Sequence, residues 1–283
     1  MKYIIVAIII LTSFYSATAQ SQNTFFEFNA GYNIHDVNTK IKKGDKNLGS
    51  GLIISGGFGH YFTEHIGITL GVKYSTAKTT TKLDYNDHID QATDKQTLLD
   101  TPIKNLDIQY ANLKENTEES IIFVPVGISY RQKLGSKLLL DARINIESGF
   151  VVQQYFKTKS GSINVSNSYI NTYNGVDVEV ENVSQLNQYG AGNAGTFSGE
   201  TKMKKNIFAA GASVGIVFPI TQRLALTANI HGTYSLSDQK KKDFPHIFDG
   251  ENYVGITQSA LCTKIHPYTI GCTLGVKYFI SKK

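Results

Sequence analysis

Eight charged side chains fall on the polar phase of segments that otherwise alternate apolar with small or polar residues: Glu27, Lys73, Arg131, Asp141, Arg143, Glu147, Arg223 and Lys277. Successive side chains of a strand point to opposite faces, so these residues would share one face with the glycines, threonines and asparagines. Charges of both signs on one such face can do two things. They can line an ion path, or they can pair into a salt-bridged plug, because an isolated buried charge is very costly. The plug is the stronger reading, because a barrel of eight strands is only wide enough for its side chains to fill.

Other chemistry is sparse. His231 and Ser235 share a face and could act as base and nucleophile of a lipid hydrolase, but no neighbouring acid is identifiable. Asp84, Asp87 and Asp90 lack the spacing and the bidentate glutamate of a calcium loop and read as a solvated acidic stretch. Cys262 and Cys272, ten residues apart on an extended chain, would be separated by roughly 30 Å, far beyond disulfide reach. Both read as unpaired, and neither builds a metal site. Phosphate-loop, nucleophile-elbow, zinc-helix and dinucleotide fingerprints are absent from the sequence, so it implies no cofactor.

The elements that would position these residues follow from the alternation. Tyr268, Ile270, Cys272, Leu274, Val276 and Tyr278 interleave with Thr269, Gly271, Thr273, Gly275 and Lys277, one greasy and one polar face. Similar patterns predict strands over roughly 25–35, 51–62, 66–75, 121–131, 137–156, 208–218 and 223–236. Pro125 lies inside one of them and predicts a local irregularity or bulge, since proline removes a ladder donor. Thr63–His65, Leu134–Ser136 and Pro219–Gln222 are tight turns; 36–50, 77–118, 157–205 and 237–262 are long, polar connections. Residues 176–183 alternate again and predict a short hairpin within the third long connection; a ten-stranded barrel using 160–185 is the alternative count.

The N-terminus narrows the environment. Lys2, an apolar run from Ile4 to Leu11 and the small-x-small triplet Ala17-Thr18-Ala19 read as a secretory leader over 1–19, with Gln20 the first mature residue. The net charge of +5, or +4 once Lys2 leaves with the leader, is mild and dispersed, which argues against a nucleic-acid partner. No later stretch is apolar for the roughly 18 residues a membrane helix needs. Only helices and closed barrels can cross lipid, so a membrane protein made from this chain must be a barrel. The predicted fold is therefore an all-β, antiparallel transmembrane barrel of about eight strands over 20–283. Its short turns would be periplasmic and its long loops extracellular. Tyr32, Tyr74, Tyr130, Tyr234, Tyr268 and Tyr278, near strand ends, would form the aromatic girdles at the lipid–water boundaries. Tyr85, Tyr110, Tyr169, Tyr173 and Tyr189 fall in the predicted loops and read as loop packing.

Three segments carry a resemblance: Tyr61 to Tyr74, Ile121 to Arg131 and Leu274 to Phe279. They resemble the hairpin, the proline-bearing strand and the closing strand of small outer-membrane barrels of Bacteroidetes-type bacteria labelled porin family. The resemblance implies the barrel fold and the outer membrane of a Gram-negative cell, with little about activity. Its implied partners are outer-membrane lipid and the barrel-insertion machinery. From the length placed in 77–118 and 157–205 the expected function is non-enzymatic: a barrel presenting loops for adhesion, complex assembly or envelope structure. The alternatives are a narrow porin and a barrel-embedded lipid hydrolase. The external partner is not legible.

Overall fold

The computed structural model describes residues 23–38, 41, 44–93, 102–135, 137–168, 170–173, 176–179, 197–201, 203–240, 244, 247–249 and 252–280. The leader expected over 1–19, Tyr169 and Tyr189 lie outside the described residues, as do the side chains of Asp87, Asp90 and Tyr173.

Eight long strands form the wall: β1 Thr24–Asn38, β2 Gly44–Tyr61, β3 Ile66–Thr93, β4 Pro102–Leu134, β5 Leu138–Ser168, β6 Asn206–Pro219, β7 Leu224–Ser235 and β8 His266–Ile280. Each pairs antiparallel with its sequence neighbours. The ring closes because β1 also pairs with β8, from Thr24↔Ile280 to Asn38↔His266. Closure leaves no unpaired edge in the ring, the condition for a sheet to sit in lipid.

The alternation decides which face meets lipid. The outward residues form one exposed apolar belt, running from Phe26 to Ile34 on β1, Ile66 to Tyr74 on β3 and Ile122 to Tyr130 on β4. It continues from Leu138 to Val152 on β5, Phe208 to Phe218 on β6, Leu224 to Leu236 on β7 and Ile270 to Tyr278 on β8. Leu274, 72% exposed, and Ile144, 73%, would be stranded in water without lipid. Among the described residues no helix is long and apolar enough to cross a membrane.

Two of the short turns are built alike. Thr63 Oγ1 accepts from the backbone N–H of His65 and Ile66, at 3.2 and 2.9 Å. Thr221 Oγ1 does the same for Arg223 and Leu224, at 3.2 and 3.0 Å. The threonine hydroxyl substitutes for a backbone partner and holds the reversal. The turn between β4 and β5 uses Gly135 at φ 78°.

Three sequence expectations change. Residues 77–93 and 102–118, expected as loop, continue the β3–β4 ladder from Ala77↔Glu119 to Thr93↔Pro102. Residues 157–168 continue β5 against β4. The connection expected over 36–50 shrinks to the five positions between Asn38 and Gly44. Three strands thus run roughly 50 Å past the lipid belt at about 3.3 Å per residue. Pro125 shifts no register: the β3–β4 ladder merely skips the positions between Leu70↔Val126 and Lys73↔Phe123, on the side where proline lacks a donor. The register shifts lie higher, at Ala111/Lys114 and Ser120/Ile121. Of the expected 176–183 hairpin, Val176–Glu179 pairs with Ile170–Tyr173, apart from the ring.

Candidate functional site: the barrel interior and its cap

The interior is layered. At the short-turn end, Phe25, Tyr61, Val217, Ala225 and Phe279 pack together with Leu139 against them. Six strands contribute, so this layer spans the bore. The Phe25 ring lies 5.4 Å from Tyr61 and 6.0 Å from Phe279. It rests on Gly59, where a Cβ would stand 2.2 Å from a ring carbon. The Arg131 guanidinium covers the Tyr61 ring at 3.9 Å.

Above this layer sits a four-charge cluster. Arg143 grips Glu27 with two guanidinium nitrogens, one at 2.6 Å, and holds Asp141 at 3.1 and 3.0 Å. Lys277 donates to Asp141 and lies 3.8 Å from Glu27. Glu27 and Lys277 face each other directly across the β1–β8 seam. Their nearer partners nevertheless stand on β5, on the far side of the bore. Two acids and two bases cancel, so the cluster is a neutral cross-brace. Lys277 is 1% exposed and Asp141 2%. One step higher Lys73 donates to Glu147 and to Thr233 Oγ1 at 3.0 Å, tying β3 to β5 and β7.

Of the eight charges expected on the inner face, six therefore join two interior clusters. Arg131 does not: its Nε donates to the carbonyl of Glu64 at 2.8 Å and its Nη2 to Asn23 at 3.2 Å, so it fastens the turn and the N-terminal approach. Arg223 sits exposed in the third turn, outside the bore. The six girdle tyrosines all lie on the outward face: Tyr130 and Tyr278 toward the short turns, Tyr74, Tyr234 and Tyr268 toward the opposite end, and Tyr32 two residues inside Ile34.

Cavities of ≈ 100 Å³ around Lys73, Glu147, Asn229 and His231, and of ≈ 20 Å³ farther up, remain between these layers. The smaller one abuts an apolar patch of Ile121, Phe123, Val151, Ile207 and Ala209 on β4 to β6. The sequence reading missed these inward apolar residues. Their signal is a break in alternation: Phe25-Phe26, Ile121-Ile122-Phe123-Val124, Ile207-Phe208, Val217-Phe218 and Tyr278-Phe279 are apolar on both faces.

His231 and Ser235 are not brought together. Four residues of extended strand put them about 13 Å apart, and Ser235 Oγ donates to the carbonyl of Ser237 at 2.9 Å. His231 stands opposite Ser213 and Gly271. Cys262 is buried and Cys272 faces outward. Among the described residues no cluster of His, Cys, Asp or Glu could hold a metal.

The other mouth is covered by the β7–β8 connection. Its Ile247, Tyr253, Ile256 and Leu261 pack on Leu83, Ile108, Tyr110, Leu113, Phe156 and Ile163 of the protruding strands. Tyr85 and Tyr110 stack in this region, 6.4 Å between centroids, so two of the loop tyrosines do pack internally. Glu115 of β4 is buried beneath this cap and accepts from Tyr253 Oη at 2.7 Å and the backbone N–H of Ile256 at 3.0 Å. Burial pushes its carboxyl up to about 7, more than these donors lower it. Glu119, four residues nearer the belt, accepts from Gln239 at 3.3 Å and Gln154 at 3.4 Å; burial pushes it up to about 7 as well.

Fold and interior together define a transmembrane β-barrel whose bore is filled by packed and ion-paired side chains. No protein-family model matches the chain, and no curated protein sequence matches it. Among solved structures it is similar to Neisserial surface protein A, at 8% identity and TM-score 0.37, over 93% of this chain and 100% of that one. It is also similar to the outer membrane protein OprG of Pseudomonas aeruginosa, at 9% and 0.40, over 93% and 99%. A third is the attachment invasion locus protein Ail of Yersinia pestis, at 11% and 0.33, over 91% and 99%. Likeness of this degree assigns no function; the fold rests on the strand pairing of the chain itself.

Proposed function

We propose that the protein is a surface protein of a Gram-negative outer membrane, of the small-barrel kind its hairpins resemble. The barrel is an anchor that neither conducts nor catalyses. It holds the β3–β4–β5 sheet and its cap outside the cell as a contact surface for adhesion or for assembly with another envelope component. The short turns face the periplasm, and the leader and the insertion machinery deliver the chain.

One observation carries this reading: three strands continue roughly 50 Å beyond the lipid belt, and the longest connection lies at that same end, while the bore is filled. Chain length is invested outside the lipid, where binding residues concentrate on exposed connections. The test is a variant lacking residues 84–109, which joins Leu83 to Tyr110 and removes about the outer half of the β3 extension. It should still fold, showing heat-modifiable migration, while cells carrying it lose surface attachment and lose the cross-linked partners of the parent. Unchanged attachment and cross-linking, or single-channel currents from the parent in planar bilayers, would overturn the proposal.

A further inference from the structure

We propose that residues 252–265 of the β7–β8 connection form a proton-gated cap: they seat on the barrel mouth while Glu115 and Glu119 are protonated, and lift as these ionise. The device depends only on the contact between cap and wall, so it stands whether or not the exposed sheet serves adhesion.

The geometry is that of a joint closed over two carboxyls. Glu115 is 0% exposed, and among the described residues its hydrogen-bond donors come from the cap, Tyr253 and the backbone at Ile256 among them. Gly255 adopts φ 96°, a conformation glycine favours, and passes so close that a Cβ would stand 3.3 Å from Glu115 Oε2. The other oxygen, Oε1, has no partner among the described residues. A carboxylate offers about four acceptor sites, so the seated cap leaves this one under-supplied. Glu119, 7% exposed, receives two amide donors on Oε1 at the long end of the hydrogen-bond range, one of them from Gln239 at the root of the cap.

Beside Glu119 lies a cavity of ≈ 40 Å³ that Thr117, Thr257 and His35 also border. The hydroxyls of Thr117 and Thr257 and the Nδ1 of His35 have no hydrogen-bond partner among the described residues. A protonated carboxyl could donate to such atoms; an ionised one cannot.

Among the described residues the surrounding charges do not neutralise the pair. On β1, His35 is buried, and Asp36 is taken by Lys46 at 2.9 Å and by Tyr268 Oη at 2.8 Å. Lys46 is the cation of β2 at this level. On the cap, Lys240 donates to the carbonyl of Ser259 at 2.9 Å, and Asp238 accepts from the backbone at Ile265 and Lys240. Burial and the adjoining Glu115 push Tyr253 well above its usual value, so it stays a donor. Opposite Glu115 stand Thr81 on β3 and Thr158 on β5; opposite Glu119 stand Ala77 and Gln154.

The sign follows. Both carboxyls bind protons more tightly with the cap seated than in water, where their value is 4.5. Closure is therefore fully favoured below about 4.5, weakens as pH rises to about 7 and levels off above that. In the steep part each carboxyl changes the closing constant by up to ~10-fold per pH unit.

Cys262, a cap residue 1% exposed, is a built-in reporter. With Cys272→Ser removing the second thiol, the folded barrel in liposomes is labelled with a charged maleimide from about pH 5 to about pH 8. Each rate is divided by that of the urea-unfolded chain at the same pH, which removes the thiolate chemistry. The ratio should rise at least ~30-fold in the parent, by an intermediate factor in E115Q or E119Q alone, and by less than ~3-fold in the double variant. A flat ratio in the parent, or an equal rise in the double variant, overturns the proposal. If the variants do not fold, amide exchange over 252–262 in the unsubstituted protein decides. Protection must fall across the same window after correction for intrinsic rates, and constant protection overturns the proposal.

Discussion

Replacing Lys277 by Met should leave Asp141 and Glu27, two buried acids, facing the single guanidinium of Arg143. The cluster then carries one uncompensated charge in a bore where Asp141 is 2% exposed. Breaking a buried pair by removing one partner costs about 3–5 kcal/mol. Asp141→Asn should cost a similar amount with the opposite excess charge, while keeping an acceptor for Tyr61. The double variant Lys277→Met, Asp141→Asn is neutral again, because the two-pronged Arg143–Glu27 pair survives. Its cost should fall short of the sum of the singles by about 2–3 kcal/mol, the upper part of the range for contacting residues. The corresponding cycle for Glu27 and Lys277, 3.8 Å apart with nearer partners elsewhere, should give a smaller coupling. Urea-driven unfolding from liposomes measures both. A coupling near zero for Lys277 and Asp141, or a larger one for the seam pair, would refute the cross-brace.

Two further predictions follow from the faces of the wall. Leu274→Arg or Leu226→Arg, on exposed lipid-facing positions, should destabilise the barrel by about 2–4 kcal/mol near the midplane, whereas Thr273→Ser and Thr227→Ser on the inner face should change stability little; the same unfolding assay compares them. At the cap, Tyr253→Phe removes a donor that helps hold the ionised Glu115 under the seated cap, so above about pH 7 Cys262 should label faster than in the parent, and slower labelling would contradict the assignment.

The wall was largely legible because lipid on one side and a polar bore on the other impose a strict two-residue period. The continuation of β3 and β4 was not. Above the belt neither face meets lipid, so Lys78, Thr79, Thr80, Thr81, Lys82 and Asp84 lose the greasy phase while the backbone ladder goes on. The last outward sign of this change is the exposed Lys78–Glu118 ion pair, just past Tyr74 and Ile122. Inward charges could be read from phase alone. Their partners could not, because which side chains meet across the bore depends on its width and on the stagger of the strands. Arg143 and Lys277 reach across, while Arg131 and Arg223, at the rim, turn to the backbone and to water. The cap was invisible for another reason: Glu115 and Tyr253 lie 138 residues apart and meet only after the ring has closed.

The most direct test of the account is sidedness. In a Cys262→Ser, Cys272→Ser background, single cysteines at Glu118 and Lys157 report the protruding sheet, and single cysteines at Glu64 and Gln222 report the short turns. A membrane-impermeant maleimide applied to intact cells should label the first two and reach the second two only after the outer membrane is opened. Labelling of the turns in intact cells with the sheet protected, or recovery of the protein in the soluble fraction, would contradict a barrel that spans the outer membrane with its long strands outside.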